Sequence, residues 1–138
     1  MIREIVKDPL FLSRVSEKAD KNDEAIGLDL LDTLLANQER CVGMAANMIG
    51  FLKNIIAFQN EDTSYTLMYN PEIIQTFGQP KLKLEGCLCH SMQKEAKRYD
   101  KIKVRYLDSR FKLKIATYSD FTAQIIQHEI DHCQGILI

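Results

Sequence analysis

The sequence has no tryptophan, only three prolines, and no apolar run approaching the ~18 uninterrupted residues that a membrane-spanning helix needs. Its lysines and arginines never stand more than two together, and the formal net charge is −1. A nucleic-acid partner held through neutralised phosphates is therefore not expected, and neither is a membrane partner. Met1-Ile2-Arg3-Glu4 brings an acid in early with no apolar core behind it, unlike a secretory leader. A cytoplasmic location is the expectation. With 46% hydrophobic and 27% charged residues, the composition is that of an ordinary globular chain and argues against disorder. Residues 1–138 contain no linker, repeat or low-complexity stretch, so one domain with one sizeable core is expected.

Cysteine is present but scattered. Cys41, Cys87, Cys89 and Cys133 could pair as two disulfides by count alone. A cytosolic chain of 138 residues has no need of such staples. Cysteines that lie near histidines in a protein of this kind more often bind metal or react.

Hydrophobic periodicity gives the elements. Asp8-Pro9 reads as an N-cap with proline at the first helical position. From Asp23 to about Gln38, Ile26, Leu30 and Leu34 recur every four residues with Leu31 and Leu35 beside them, which predicts a mostly buried helix. Its narrow polar stripe is Asp29, Asp32 and Thr33. The small residues between Gly43 and Gly50 must run close to something. Strands are expected at about 54–58 and 65–70, the second stopped by Pro71. After Pro80, Leu82, Leu84, Gly86 and Leu88 alternate with Lys83, Glu85, Cys87 and Cys89. Ile102, Val104 and Tyr106 alternate with lysine and arginine. A turn at Asp108-Ser109-Arg110 leads to Phe111, Leu113 and Ile115, alternating with Lys112 and Lys114. This predicts a hairpin with one face on a core and its lysines in water. A last helix is expected from about Asp120, capped by Ser119 and stopped at Gly135. Helices at both ends with strands between them make an α+β fold.

That last helix carries chemistry. His128-Glu129-Ile130-Asp131-His132 is an H-E-x-x-H pattern. Residues four apart lie one above the other on a helix, so both imidazoles reach one metal ion. Glu129 sits one residue round, beside a metal-bound water and off the ion. Phe121, Ile125, His128 and His132 share one stripe about 60° wide, so the histidines are expected to point inward. Catalytic sites usually take three protein ligands and one open position. The six residues after His132 contain neither carboxylate nor histidine, and Cys133 lies about 100° round the helix. The third ligand must come from upstream, and the segment Glu85-Gly86-Cys87-Leu88-Cys89-His90 is the obvious source.

These segments together resemble the peptide deformylase family. Its signatures G-x-G-x-A-A-x-Q, E-G-C-L-S and Q-H-E-x-D-H occur here in that order. They read Cys41-Val42-Gly43-Met44-Ala45-Ala46-Asn47-Met48, then Glu85-Gly86-Cys87-Leu88-Cys89, then Gln127-His128-Glu129-Ile130-Asp131-His132. Asp8-Pro9, Asn70-Pro71-Glu72, Arg98 and Gly135-Ile136-Leu137 add smaller matches, so the resemblance spans essentially the whole chain. It implies a deformylase-like fold, antiparallel sheets around the helix that bears H-E-x-x-H. It implies that Cys87, His128 and His132 hold one divalent metal, natively Fe(II). It further implies that Glu129 is the general base and then the general acid, and that the Leu88 N–H holds the formyl oxygen. The substrate implied is an N-formyl-methionyl peptide, met as a nascent chain in passing proximity to the ribosome. A pocket near Gly43 and the last helix, with Met44 and Met48 as candidate lining, would take the methionine side chain. The chemistry of one thiolate and two imidazoles suits Fe(II), Zn(II), Ni(II) or Co(II) alike.

Three positions depart from the pattern. Met48 stands where the family has glutamine, whose amide donates to the developing oxyanion, and a thioether has no donor. Cys89 replaces the serine of E-G-C-L-S, and Cys41 replaces the first glycine. The sequence thus reads as a deformylase with weakened oxyanion stabilisation; the alternative is a non-catalytic metal- or peptide-binding relative. Arg98 is expected to make a structural ion pair, Asp131 to lie on the polar side of the last helix with Gln124 and Gln127, and His90 to be an exposed loop residue.

Overall fold

The structure is a computed structural model that describes residues 1–138, Ser91 by its backbone alone. Helix α1 is one turn, Pro9–Leu12, with the Asp8 carboxylate accepting from the Leu10 N–H as an N-cap. Helix α2, Glu24–Ala36, follows a short 3-10 turn at Lys21–Asp23. Seven strands come next: β1 Gly43–Ala45, β2 Ile55–Gln59, β3 Tyr65–Phe77, β4 Lys81–Cys87, β5 His90–Arg98, β6 Lys101–Leu107 and β7 Leu113–Ser119. Helix α3, Asp120–Cys133, closes the order. All strand pairings are antiparallel, and the fold is α+β as expected. Among the described residues no helix is long and apolar enough to cross a membrane.

Five strands form one sheet in the order β1-β2-β3-β6-β7, and β4 with β5 forms a separate hairpin. Strand periodicity divides the core in two. Met44, Ile55, Ala57, Leu67 and Tyr69 face α2 and join Leu30 and Leu34. Ala45, Ile56, Phe58, Met68, Ile102 and Val104 face the other way, against Ala123, Ile125 and Ile126 of α3. Each fully buried Ile or Phe there contributes about 1.5–3 kcal/mol of burial energy. The sheet thereby clamps α3 on one face with its histidines towards the interior. The polar stripe of α2 is covered too: Arg3 forks onto the Asp29 carboxylate, and its backbone N–H donates to the Thr33 hydroxyl oxygen.

Three expectations are corrected. Pro71 does not end its strand; β3 runs on to Phe77, because the register shifts between Tyr69 and Glu72 and Pro71 sits where no ladder bond is required. Asn70 takes φ +53° at this irregularity, and its side-chain amide bonds both backbone groups of Ala19. The segment after Cys89 is a strand, β5, that pairs back on β4. In β7 the apolar residues face outward: Leu113 and Ile115 are exposed, while Ala116 and Tyr118 turn inward. The cause is the loop. Asp108 accepts from the N–H groups of Arg110 and Lys112, Phe111 adopts φ +58°, and pairing resumes only at Leu107 with Leu113. Ile115 then lies opposite Arg105 and shares its wet face, since directly paired residues point the same way. Phe111 packs against Tyr69 instead, ring centroids 4.5 Å apart.

Candidate metal centre

Helix α3 buries a polar stripe that a core would reject unless it served something. Gln127, His128, Glu129 and His132 are all buried, His132 completely. Buried polar groups of this kind are retained when they are paired with one another or with a ligand. Strand β4 ends opposite this stripe, and a register shift between Glu85 and Cys87 turns the Cys87 thiol towards the two imidazoles. Cys87 Sγ lies 3.4 Å from His132 Nε2, which lies 3.1 Å from His128 Nε2. The donor atoms of all three residues fall within 4.8 Å of one another. Donors bound at about 2.0–2.3 Å to one tetrahedral ion stand roughly 3.3–3.7 Å apart, so the arrangement fits a divalent cation.

A second layer holds these donors. His128 Nδ1 is 2.8 Å from Glu85 Oε1. With its N–H given to that carboxylate, the ring turns its Nε2 lone pair to the centre. Glu85 is gripped by the fork of Arg98 at 2.9 and 2.8 Å, and Arg98 also reaches Asp131 at 2.7 Å. Arg98 is thus the structural ion-pair residue expected, and Asp131 is its exposed-side partner. Burial works against a charged His128, but hydrogen bonds that the imidazole gives to Cys87 and Glu85 outweigh it and push its pKa up to about 10. The site so formed attracts a positive charge: a proton when nothing else is there, or a metal ion that displaces it. Gln127, expected on the wet side, is instead buried and bonds both backbone groups of Tyr99, tying the β5–β6 turn to α3.

Glu129 is buried beside the cluster. Burial pushes its carboxyl up to about 7, and its Oε1 has no hydrogen-bond partner. Such a carboxyl, poised near neutrality and unsatisfied, suits general acid–base work. Gly43 is what allows the approach. A Cβ there would sit 2.6 Å from Ile125 Cγ2 and 3.0 Å from Glu129 Oε2. The small-residue segment therefore runs close to α3, as its composition implied.

A cavity of about 400 Å³ opens over this cluster. Gly43, Leu88, Ile125, His128, Glu129 and Cys87 are on its wall, with Leu84 and the exposed ring of Phe121 at its rim. Met44 and Met48 are not. Strand alternation sends Met44 to the opposite face from Gly43, and both methionines are wholly buried in the core on the α2 side. Asn47, next to Met48, gives a side-chain N–H to His132 O at 3.0 Å and braces the end of α3. Cys89 Sγ lies 3.1 Å from Cys87 Sγ, yet it falls outside the cluster of convergent donors. His90 is half-buried, with neither ring nitrogen bonded among the described residues. The residue that sequence reasoning left without a role is Glu85. The signal was there: Glu85 stands two residues before Cys87, in the same short segment as the expected ligand.

Comparison with known proteins agrees with this geometry. Residues 2–138 match the family model described as polypeptide deformylase. The peptide deformylase of Clostridium beijerinckii is 49% identical over 138 residues, all of both chains. That of Brachyspira hyodysenteriae is 37% identical over 135 residues, covering 91% of this chain and 72% of the relative. An actinonin-bound class I type b peptide deformylase from Acinetobacter baumannii superimposes with a TM-score of 0.87 at 26% identity, covering 99% of this chain and 95% of that one.

Proposed function

The chain belongs to the polypeptide deformylase family, and on that premise we propose that it is a metal-dependent hydrolase that removes the N-formyl group from the initiator methionine of nascent peptides. The observation that carries this reading is the convergence of Cys87, His128 and His132 under a cavity whose wall also holds the unsatisfied carboxyl of Glu129. Cys87, His128 and His132 would hold a divalent ion, Fe(II) in the native protein, which would supply Lewis acidity towards water at neutral pH. The chain's own groups do the rest. Glu129 takes a proton from the attacking water and returns it to the departing amine, so one water and one formamide become formate and a free N-terminus. The backbone N–H of Leu88, at the turn that leaves β4, stabilises the charge growing on the formyl oxygen. The apolar walls of Ile125, Phe121 and Leu84 receive the methionine side chain.

In this reading the enzyme is slow. Met48 offers no donor to the oxyanion, and Asn47 is committed to α3. It works as one domain in the cytoplasm, near where nascent chains emerge. The test is formate release from a formyl-Met-Ala peptide by Fe(II)- or Ni(II)-loaded protein, alongside Glu129→Ala. The variant is expected to keep its metal and release no formate. Turnover at the wild-type rate would remove Glu129 from the proton-carrying role.

A further inference from the structure

The wall of the cavity is mostly apolar, and its charged residues divide sharply. Glu85, Glu129 and His128 are buried, and Glu85 is already paired. Among the described residues, Arg40 is the one exposed charge on that wall. Among the described residues it pairs with no carboxylate. Its Nη2 donates instead to Asn37 Oδ1 at 2.8 Å. Asn37 is itself fixed at the end of α2, where its Nδ2 donates to Thr33 O at 2.8 Å. The guanidinium is therefore held on an anchored amide, with most of its five donors free at the mouth of the cavity.

The distance from the chemistry follows from the chain. Gly43 abuts Glu129, and Arg40 lies three residues before it, at most about 10 Å away along an extended backbone. A substrate leaving the centre along this wall advances roughly 3.3 Å per residue. Arg40 stands at a turn, inside that limit, and its long side chain brings the guanidinium within reach of the third residue. β1 is an edge of the five-stranded sheet, so the path beside it is not filled by another strand of that sheet.

We infer that Arg40 is a specificity-determining residue that selects formyl-methionyl peptides bearing a carboxylate on the third residue. A side-chain carboxylate at that place meets a guanidinium that no carboxylate already pairs, and an ammonium there meets like charge. The inference rests on the deformylase reading above.

The test measures kcat and KM of metal-loaded wild type, Arg40→Ala and Arg40→Glu with C-terminally amidated formyl-Met-Ala-Glu, formyl-Met-Ala-Gln and formyl-Met-Ala-Lys. Wild type is expected to favour the Glu peptide over the Lys peptide by about 3- to 10-fold in kcat/KM, carried by KM, and to lose the preference in 1 M salt. Arg40→Ala brings the ratio close to one, and Arg40→Glu reverses it. A wild-type ratio within 2-fold of one, or a ratio that survives Arg40→Glu, overturns the inference while the deformylase reading stands. No formate from any of the three peptides overturns that reading, and the inference with it.

Discussion

Gly43→Ala tests the closest packing in the site. The new methyl would stand 2.6 Å from Ile125 Cγ2, 3.0 Å from Glu129 Oε2 and 3.3 Å from Glu129 Cγ. Real Cβ atoms essentially never come nearer than 3.0 Å to a neighbour, so the Ile125 and Glu129 side chains, or the β1 and α3 backbones behind the contact, have to shift. Ile125 is almost wholly buried, and its β-branched side chain in α3 has few rotamers with which to turn towards the cavity. Overpacking of this sort costs about 1–3 kcal/mol. The larger effect falls on catalysis, because Glu129 shares the contact, and a displacement near 1 Å costs on the order of 10²-fold in rate. Removing the clashing methyl with Ile125→Ala isolates the cause. Alone, that change costs about 2–5 kcal/mol through the cavity it leaves. The double variant is expected to be less destabilised than the sum of the two, by roughly 1–2 kcal/mol. The assay is urea unfolding of all four proteins at equal metal content, with kcat/KM beside it. Strict additivity in stability, or full activity in Gly43→Ala, would refute the argument that the glycine exists to admit α3.

Met48→Gln restores the donor found elsewhere in the family. Met48 is off the cavity wall, but Cys87 and Leu88 pack against the core that holds it. At equal metal loading the substitution, its amide reaching the oxyanion from behind that wall, should raise kcat/KM on formyl-Met peptides by roughly 10²-fold. It places an amide where Met48 is fully buried, so a stability loss of about 1–3 kcal/mol should accompany it if the amide finds no partner in the resting protein. No gain in rate would show that another group already holds the oxyanion. Arg98→Met strands the buried Glu85 carboxylate and loosens its hold on His128. The expected cost is about 3–5 kcal/mol in chemical unfolding together with weaker metal affinity. A change below 1 kcal/mol would mean that Glu85 needs no guanidinium.

The parts of the fold that local chemistry dictates were legible before the structure. Helical spacing in His128, Glu129 and His132 is enough to aim two imidazoles at one point, and Gly43 with its small neighbours announces a close approach. The departures arise where tertiary context decides. Pro71 is tolerated because a neighbouring bulge removes the need for its missing N–H, which no residue pattern announces. The outward turn of Leu113 and Ile115 follows from the loop at 108–112, whose length sets the parity of β7. Met44 and Met48 looked like pocket residues by their place in the signature. Strand parity sends Met44, with Met48 buried beside it, into the α2-side core, and only the sheet's layering shows which face is which. Glu85 and Gln127 bury polar side chains because partners from distant segments, Arg98 and Tyr99, meet them there.

Formate release followed against metal content tests the central claim most directly. The protein is stripped with chelator, reloaded stepwise with Fe(II) or Ni(II) under anaerobic conditions, and assayed on formyl-Met-Ala-Ser, with Cys87→Ala and His132→Ala carried through the same steps. The account predicts no formate from stripped protein, activity rising linearly to one metal per chain, and neither metal nor formate in the two variants. Full metal occupancy in both variants, or a metal-saturated wild type that releases no formate, would contradict it.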